Sequence, residues 1–375
     1  MIYRELGRTG EKVSRLGLGA MRLKLLPSQK LSEIDVGETE RLVNYCYEQG
    51  INYFDTAWMY HGGESERVVG RLIKPFRKEI YLSTKSPGYK IKKRGDFRRI
   101  FEEQLKKLET DYLDFYFLHG ISWESSEEVR RRDDWFEGIQ KLKEEGLVKH
   151  ICFSFHGEEG DIERLVDTGI FEAMLVQYNI LDRKNRRAMK YAKEKGLGVL
   201  VMSPVGGGRI ADFSAATMEK FGFDHRKRVE LAFRFVFANC DVDCALSGMS
   251  TAEMARENIG YLMNTEPLSS EEGEGIERVA GELEKLAGLY CTGCNYCMPC
   301  PEEVNIPEIF AQVNNYRIYG MRDYARKQYS DIGVHPWMPG AKADMCTSCG
   351  ECLEKCPQKL DIPDELKKAR EMLEN

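Results

Sequence analysis

"NYFDTAWMYHGGESERVVG" occupies residues 52–70. With Ile51 its first part, "INYFDTA", reads as a short buried strand. A helix pattern, "VGETERLVNYCYEQG" (36–50), leads into it and stops at Gly50. Working outward, the same unit recurs. Strand patterns stand at "SRLGLGAM" (14–21), "EIYLSTK" (79–85), "YLDFYFLHG" (112–120), "LVKHICFS" (147–154), "EAMLVQYN" (172–179), "LGVLVMSP" (197–204) and "VDCALSGM" (242–249). Amphipathic helix patterns alternate with them, among them "DFRRIFEEQLKKLE" (96–109), "DWFEGIQKLKEEG" (134–146), "RKNRRAMKYAKEKG" (183–196) and "HRKRVELAFRFVFANC" (225–240). About eight strand–helix repeats predict an α/β fold, a (β/α)₈ TIM barrel. Periodicity by itself also admits an open doubly wound sheet.

After Pro267 the pattern changes. "LSSEEGEGIERVAGELEKLAG" (268–288) reads as one helix with a Ser/Glu start, and strand patterning ceases. The expected organisation is a barrel at 1–268, a connecting helix at 269–288 and a small, mainly helical iron–sulfur domain at 289–375. Eight of the twelve cysteines fall in two runs there. "CTSCGECLEKCP" places Cys346, Cys349, Cys352 and Cys356 at the spacing of bacterial four-iron ferredoxins. "CTGCNYCMPC" places Cys291, Cys294, Cys297 and Cys300 at every third position, one residue short of that spacing at its end. In two-cluster domains the fourth cysteine of each run serves the other cluster. One [4Fe–4S] cluster then takes Cys291, Cys294, Cys297 and Cys356, and the other Cys346, Cys349, Cys352 and Cys300. Structural zinc on four thiolates is the competing reading. "CPEEVNIPEI" (300–309) and "CPQKLDIPDE" (356–365) match in type, so each run is expected to feed a helix starting at Asn305 or Asp361. These helices resemble the helical ferredoxin modules of respiratory and disulfide-reducing enzymes. Cys46, Cys152, Cys240 and Cys244 are expected in the barrel core.

Composition narrows the partners. The chain is 42% hydrophobic and 31% charged, with formal net charge -6. No basic stripe or polybasic anchor points to nucleic acid or a membrane surface. No apolar run approaches the ~20 residues of a membrane span. The opening residues carry no apolar leader pattern, and clustered cysteines fit a reducing compartment, so a cytoplasmic location is expected.

Four stretches in order, "YRELGRTGEKVSRLGLGAM" (3–21), "NYFDTAWMYHGGESERVVG", "LSTK" (82–85) and "DFYFLHG" (114–120), resemble the aldo-keto reductases. The resemblance covers about residues 1–265. It implies a barrel that binds NAD(P)H without a Rossmann fold and a catalytic tetrad of Asp55, Tyr60, Lys85 and His119. The chemistry wants those types. An oxyanion left by hydride transfer must be protonated, and a phenol is a suitable acid. Its free pKa of ~10 is high, and a nearby ammonium lowers it. Asp55 can hold Lys85 by a charge-assisted hydrogen bond, and His119 can orient the carbonyl or relay a proton. By the same resemblance Ser154 and Gln177 hold the nicotinamide amide, with Phe155 where the family often has Asn. Met202, Ser203, Pro204 and Gly206 in "MSPVGGG" (202–208) fall in a phosphate-cradling loop. Gly248, Ser250, Glu257 and Asn258 in "SGMSTAEMARENIG" (247–260) fall on the adenine side. Gly248 and Met254 stand where the family places basic residues for a 2′-phosphate; Arg256 is off that register. Trp58, His61 and Trp123 are candidates for the substrate wall or for packing.

A hydride transfer needs no iron, and no flavin motif is evident to join two-electron and one-electron carriers. Three readings follow. The chain is a carbonyl reductase whose clusters exchange electrons with a redox partner protein. Or the clusters are structural or redox-sensing beside an ordinary reductase. Or the barrel is chiefly an electron-transfer or docking module.

Overall fold

The structure is a computed structural model of the whole chain. It describes all residues except 29, 31, 156, 158, 159, 265, 289, 290, 292–296, 336, 357, 358 and 375. His156 and Cys294 therefore lie outside the described residues. The chain divides into two compact units, Met1–Gly207 with Ala232–Pro267, and Gly208–Leu231 with Leu268–Asn375.

The first unit opens with a hairpin, β1 (Tyr3–Glu5) against β2 (Lys12–Ser14). Eight strands then close a parallel barrel: β3 (Leu16–Gly19), β4 (Tyr53–Asp55), β5 (Tyr81–Ser86), β6 (Leu113–Ile121), β7 (Val148–Phe155), β8 (Ala173–Gln177), β9 (Gly198–Met202) and β10 (Cys244–Ser247), which returns to β3. Closure, with no unpaired edge, decides against the open sheet. Each strand coincides with a predicted apolar run, because strands buried on both faces read as short continuous apolar stretches. Leu6 and Val13 of the hairpin join Tyr53, Phe115, Phe117, Cys152, Leu175, Leu200 and Leu246 in the barrel filling. Each such large apolar side chain contributes about 1.5–3 kcal/mol relative to exposure. The opening stretch ends at Gly70, on the helix Ser65–Ile73. A Cβ there would lie 2.4 Å from the Leu108 carbonyl oxygen, so only glycine lets this helix meet the end of Asp96–Leu108.

Cys46, Cys152 and Cys244 are buried as expected, but Cys240 is exposed. It sits in the turn between the helix Arg228–Ala238 and β10 rather than on a barrel strand, and its carbonyl accepts from Arg4 Nη1 at 2.9 Å.

In the second unit the helix Ser270–Gly288 begins with a reciprocal cap: Glu272 N–H donates to Ser269 Oγ, and Ser269 N–H to Glu272 Oε2. Helices Ile306–Arg317 and Ile362–Glu374 start where the repeated motif places them. Asn305 Oδ1 accepts from Glu308 N–H and Asp361 Oδ1 from Asp364 N–H, both at 3.3 Å. With Arg322–Asp331 they enclose a core of Ile306, Ile309, Phe310, Tyr329, Ile362 and Leu366. Among the described residues no helix is long and apolar enough to cross a membrane.

Candidate active site and cluster-binding region

The site assembles at the carboxyl ends of the barrel strands. Asp55 ends β4, Lys85 lies one residue from the end of β5, and His119 sits where β6 shifts register between Leu118 and Ile121. Tyr60 comes from the loop after β4. Lys85 Nζ donates to Asp55 Oδ2 (2.5 Å), the Thr56 carbonyl (2.8 Å) and the Tyr60 hydroxyl (3.3 Å). Ser83 Oγ donates to the other Asp55 oxygen at 2.7 Å. The His119 ring meets Tyr60 edge-on at 6.2 Å between centroids. Asp55 and Lys85 are buried, whereas Tyr60 and His119 are half-buried and so reachable from the barrel mouth.

The electrostatics differ in one respect from the sequence expectation. Lys85 does pull the Tyr60 phenol down, but burial pushes it up more, with Asp55 adding to the rise, and the net direction is upward. Burial pulls the Lys85 ammonium down; Asp55 and Tyr60 outweigh that and hold it above its ordinary value. The phenol is thus kept protonated and the amine charged.

Behind Lys85 is a buried network that sequence reasoning missed. Gln104 Nε2 donates to Glu66 Oε1, Thr84 Oγ1 and the Lys85 carbonyl, while Tyr116 OH donates to Gln104 Oε1. Lys107 Nζ is 3.4 Å from Glu66 Oε2 and 3.5 Å from the Trp58 ring centroid. His61 is buried, its Nε2 accepting from Leu23 N–H at 3.1 Å, and so ties two loops together. Trp123 packs under the Arg164 guanidinium.

The residues that the resemblance assigns to a dinucleotide lie on the same barrel unit. Ser154 Oγ, buried on β7, accepts from Gly120 N–H at 2.7 Å and so fixes the backbone beside His119. Gln177 and Met202 end β8 and β9, half-buried. Ser203 adopts a left-handed φ of 56°, strain of a kind that persists where the surroundings enforce it. Its carbonyl accepts from buried Asn179 Nδ2 (3.0 Å) and Gly206 N–H (2.8 Å). Pro204 is buried, and Gly206, Gly207 and Gly208 all have positive φ. Asn258 Nδ2 donates to Ser247 Oγ; Glu257 is exposed on the helix Ala252–Asn264.

Arg22 was not singled out from sequence. Its stem runs along Gly248, whose Cβ would come within 3.1 Å of Arg22 Cδ. Its Nη2 lies 3.4 Å from where a Gly207 Cβ would be. Ser250 Oγ donates to its carbonyl at 2.6 Å. Among the described residues no carboxylate pairs with this guanidinium. The only signal was its position three residues past a barrel strand. The guanidinium end thus stands beside Gly207 of the glycine loop, where a cation can meet an anionic group.

In the C-terminal unit Cys297, Cys300, Cys346, Cys349 and Cys352 line one hollow, walled by Pro299, Pro301, Ile306, Pro363 and Leu366. Cys297 and Cys300 of the first run thus stand with three cysteines of the second. Cys291 and Cys356 pack against the same helical core. Among the described residues no group of three or more His, Cys, Asp or Glu side chains is arranged about a single metal-ion position.

Comparison with known proteins agrees with this architecture. The model of the aldo/keto reductase family matches residues 15–230, more than half of the chain, and the chain belongs to that family. A 4Fe-4S dicluster domain matches residues 290–360. The chain is 27% identical over 315 residues to an L-galactose dehydrogenase of Arabidopsis thaliana, covering 76% of this chain and 95% of that one. It is 26% identical over 309 residues to an uncharacterized oxidoreductase, YqkF, of Bacillus subtilis, covering 74% and 96%. Among solved structures, the aldo-keto reductase AKR11C1 of Bacillus halodurans in its holo form superposes with a TM-score of 0.64 at 25% identity, over 74% of this chain and 96% of that one. The protein is an oxidoreductase with a C-terminal helical region that carries the iron–sulfur domain.

Proposed function

We propose that the barrel reduces an aldehyde or ketone with NAD(P)H, or runs the reverse alcohol oxidation, and that the C-terminal region holds two [4Fe–4S] clusters. The observation that carries this reading is the Lys85 ammonium set between Asp55 and the Tyr60 phenol. A nicotinamide, when bound, supplies the hydride. Tyr60 gives its proton to the substrate oxygen as negative charge develops there, and Lys85 eases that transfer by stabilising the phenolate. Asp55 holds Lys85 charged, and His119 directs the oxygen toward the phenol. Ser154 and Gln177 receive the carboxamide. Ser203, Gly206 and Arg22 receive the diphosphate; Met202 and Pro204 shape that loop. Gly248, Ser250, Glu257 and Asn258 receive the adenosine.

One cluster is assigned to Cys346, Cys349, Cys352 and Cys300, and the other to Cys291, Cys294, Cys297 and Cys356. A four-iron cluster, when bound, takes up or releases one electron at a time. The cluster region would exchange electrons with a redox partner protein in the cytoplasm. Barrel, connecting helix and cluster region are proposed to divide at 1–268, 269–288 and 289–375.

The test is anaerobically purified protein assayed for NADH and NADPH oxidation with a panel of aldehydes and ketones, and for dinucleotide reduction with sugars such as L-galactose. Turnover that needs Tyr60 supports the reading. Dinucleotide binding without turnover of any carbonyl or alcohol would move the electron-transfer reading ahead.

A further inference from the structure

Gly206, Gly207 and Gly208 all have positive φ, with values of 61°, 69° and 102°. Such a run has high conformational freedom and holds one shape only if both its ends are anchored. Upstream, the Ser203 carbonyl is fixed by Asn179 and Gly206. Downstream, the chain from Gly208 to Leu231 groups with the C-terminal unit, although in sequence it lies between β9 and β10.

Its attachments are specific. The helix Arg322–Asp331 begins at Met321, whose side chain cannot cap it; Asp212 Oδ2 instead accepts Tyr324 N–H at 2.8 Å. A carboxylate there also meets the positive end of the helix dipole. Thr217 Oγ1 donates to the Tyr319 carbonyl at 3.0 Å. Gly320 has φ +67°, and a Cβ on it would lie 2.6 Å from Ser214 Oγ, so the approach needs glycine. From Tyr319 the bonds continue: its N–H donates to the Asn314 carbonyl, and Asn314 Nδ2 donates to the carbonyl of Cys291 at 3.1 Å. Two hydrogen-bonded residues thus separate a cluster-run cysteine from the segment that continues the glycine loop.

We propose that Asp212 and Thr217 are positioning residues for the dinucleotide: the cluster-bearing unit holds Gly208–Leu231, and that hold sets how firmly the Ser203–Gly207 loop closes on the diphosphate. This deepens the cofactor assignment above and rests on it. By linkage, whatever orders the cluster unit tightens dinucleotide binding.

The experiment uses full-length, cluster-loaded protein. NADH and NADPH affinities are measured by fluorescence titration for the parent, Thr217→Val, Asp212→Ala and the rescue variant Thr217→Ser, with iron content and hydrogen exchange over 208–231 recorded in parallel. Loss of one such bond is expected to weaken both dinucleotides about five-fold and to speed exchange over 208–231. Iron content should stay at the parent level, and Thr217→Ser should recover most of the affinity. Parent affinity in both Thr217→Val and Asp212→Ala, with or without faster exchange, overturns the inference alone. A parent protein that binds neither dinucleotide removes the cofactor reading and this inference with it.

Discussion

Lys85 Nζ lies 2.5 Å from Asp55 Oδ2, and both side chains are almost wholly buried. Neither charge would be tolerated there alone. Breaking a buried pair by removing one partner costs about 3–5 kcal/mol. Asp55→Asn is expected to destabilise the barrel by that order. It should also lower turnover, because burial, no longer opposed by a carboxylate, favours a neutral amine that cannot stabilise phenolate. Denaturant melting that matches the parent would show that the pair contributes nothing to stability.

Tyr60→Phe is expected to remove carbonyl reduction while dinucleotide affinity and iron content stay near parent. The phenol acts only as charge develops, so the loss belongs in kcat, at about 10²–10⁴-fold. The pH profile has a definite sign. With the phenol's pKa raised by burial above its ordinary 10.0, the acid stays loaded through neutrality, so reduction should decline only on the alkaline side. Lys85→Met removes the influence that lowers this pKa and should cost turnover similarly. An unchanged rate in Tyr60→Phe would remove the tetrad assignment.

The barrel could be read from the chain because each of its strands is a short apolar run bounded by helix patterns, and because Asp55, Tyr60, Lys85 and His119 all fall within a few residues of a strand's carboxyl end. What could not be read depends on pairing across long sequence distances. Arg22 reaches Gly248 only because β3 pairs with β10, Leu18 beside Ser247. The hairpin β1–β2 has three-residue strands, too short for a period to show. The upward shift of Tyr60 is a result of burial, which a motif does not carry. The attachment of Gly208–Leu231 to the C-terminal unit rests on Asp212 and Thr217 meeting backbone about a hundred residues later. Asn305 and Asp361, by contrast, cap their helices locally, and the repeat announced both.

Anaerobic iron and sulfide analysis should give close to eight irons per chain, the sum of two four-iron clusters. Cys300→Ser is expected to disturb the cluster of the 346–352 run rather than that of the 291–297 run, on the assignment in which the fourth cysteine of each run serves the other cluster. Stoichiometric zinc, or iron sufficient for one cluster, would contradict the assignment.

NADH is expected to bind at least as tightly as NADPH. Gly248 is exposed and Met254 is uncharged, so a 2′-phosphate on the adenine side finds little to replace its hydration. Arg22 does not reverse this. Its stem passes Gly248, but its guanidinium end lies at Gly207, on the side assigned to the diphosphate. Both dinucleotides carry that diphosphate. Arg22→Gln should therefore weaken NADH and NADPH alike, by about ten-fold for the loss of a charge-assisted contact, and leave their ratio unchanged. Calorimetric titration at two salt concentrations checks this, since the Arg22 contribution should shrink as ionic strength rises. A selective loss of NADPH binding would place Arg22 on the 2′-phosphate instead. NADPH binding tens of times tighter than NADH in the parent would overturn the preference itself.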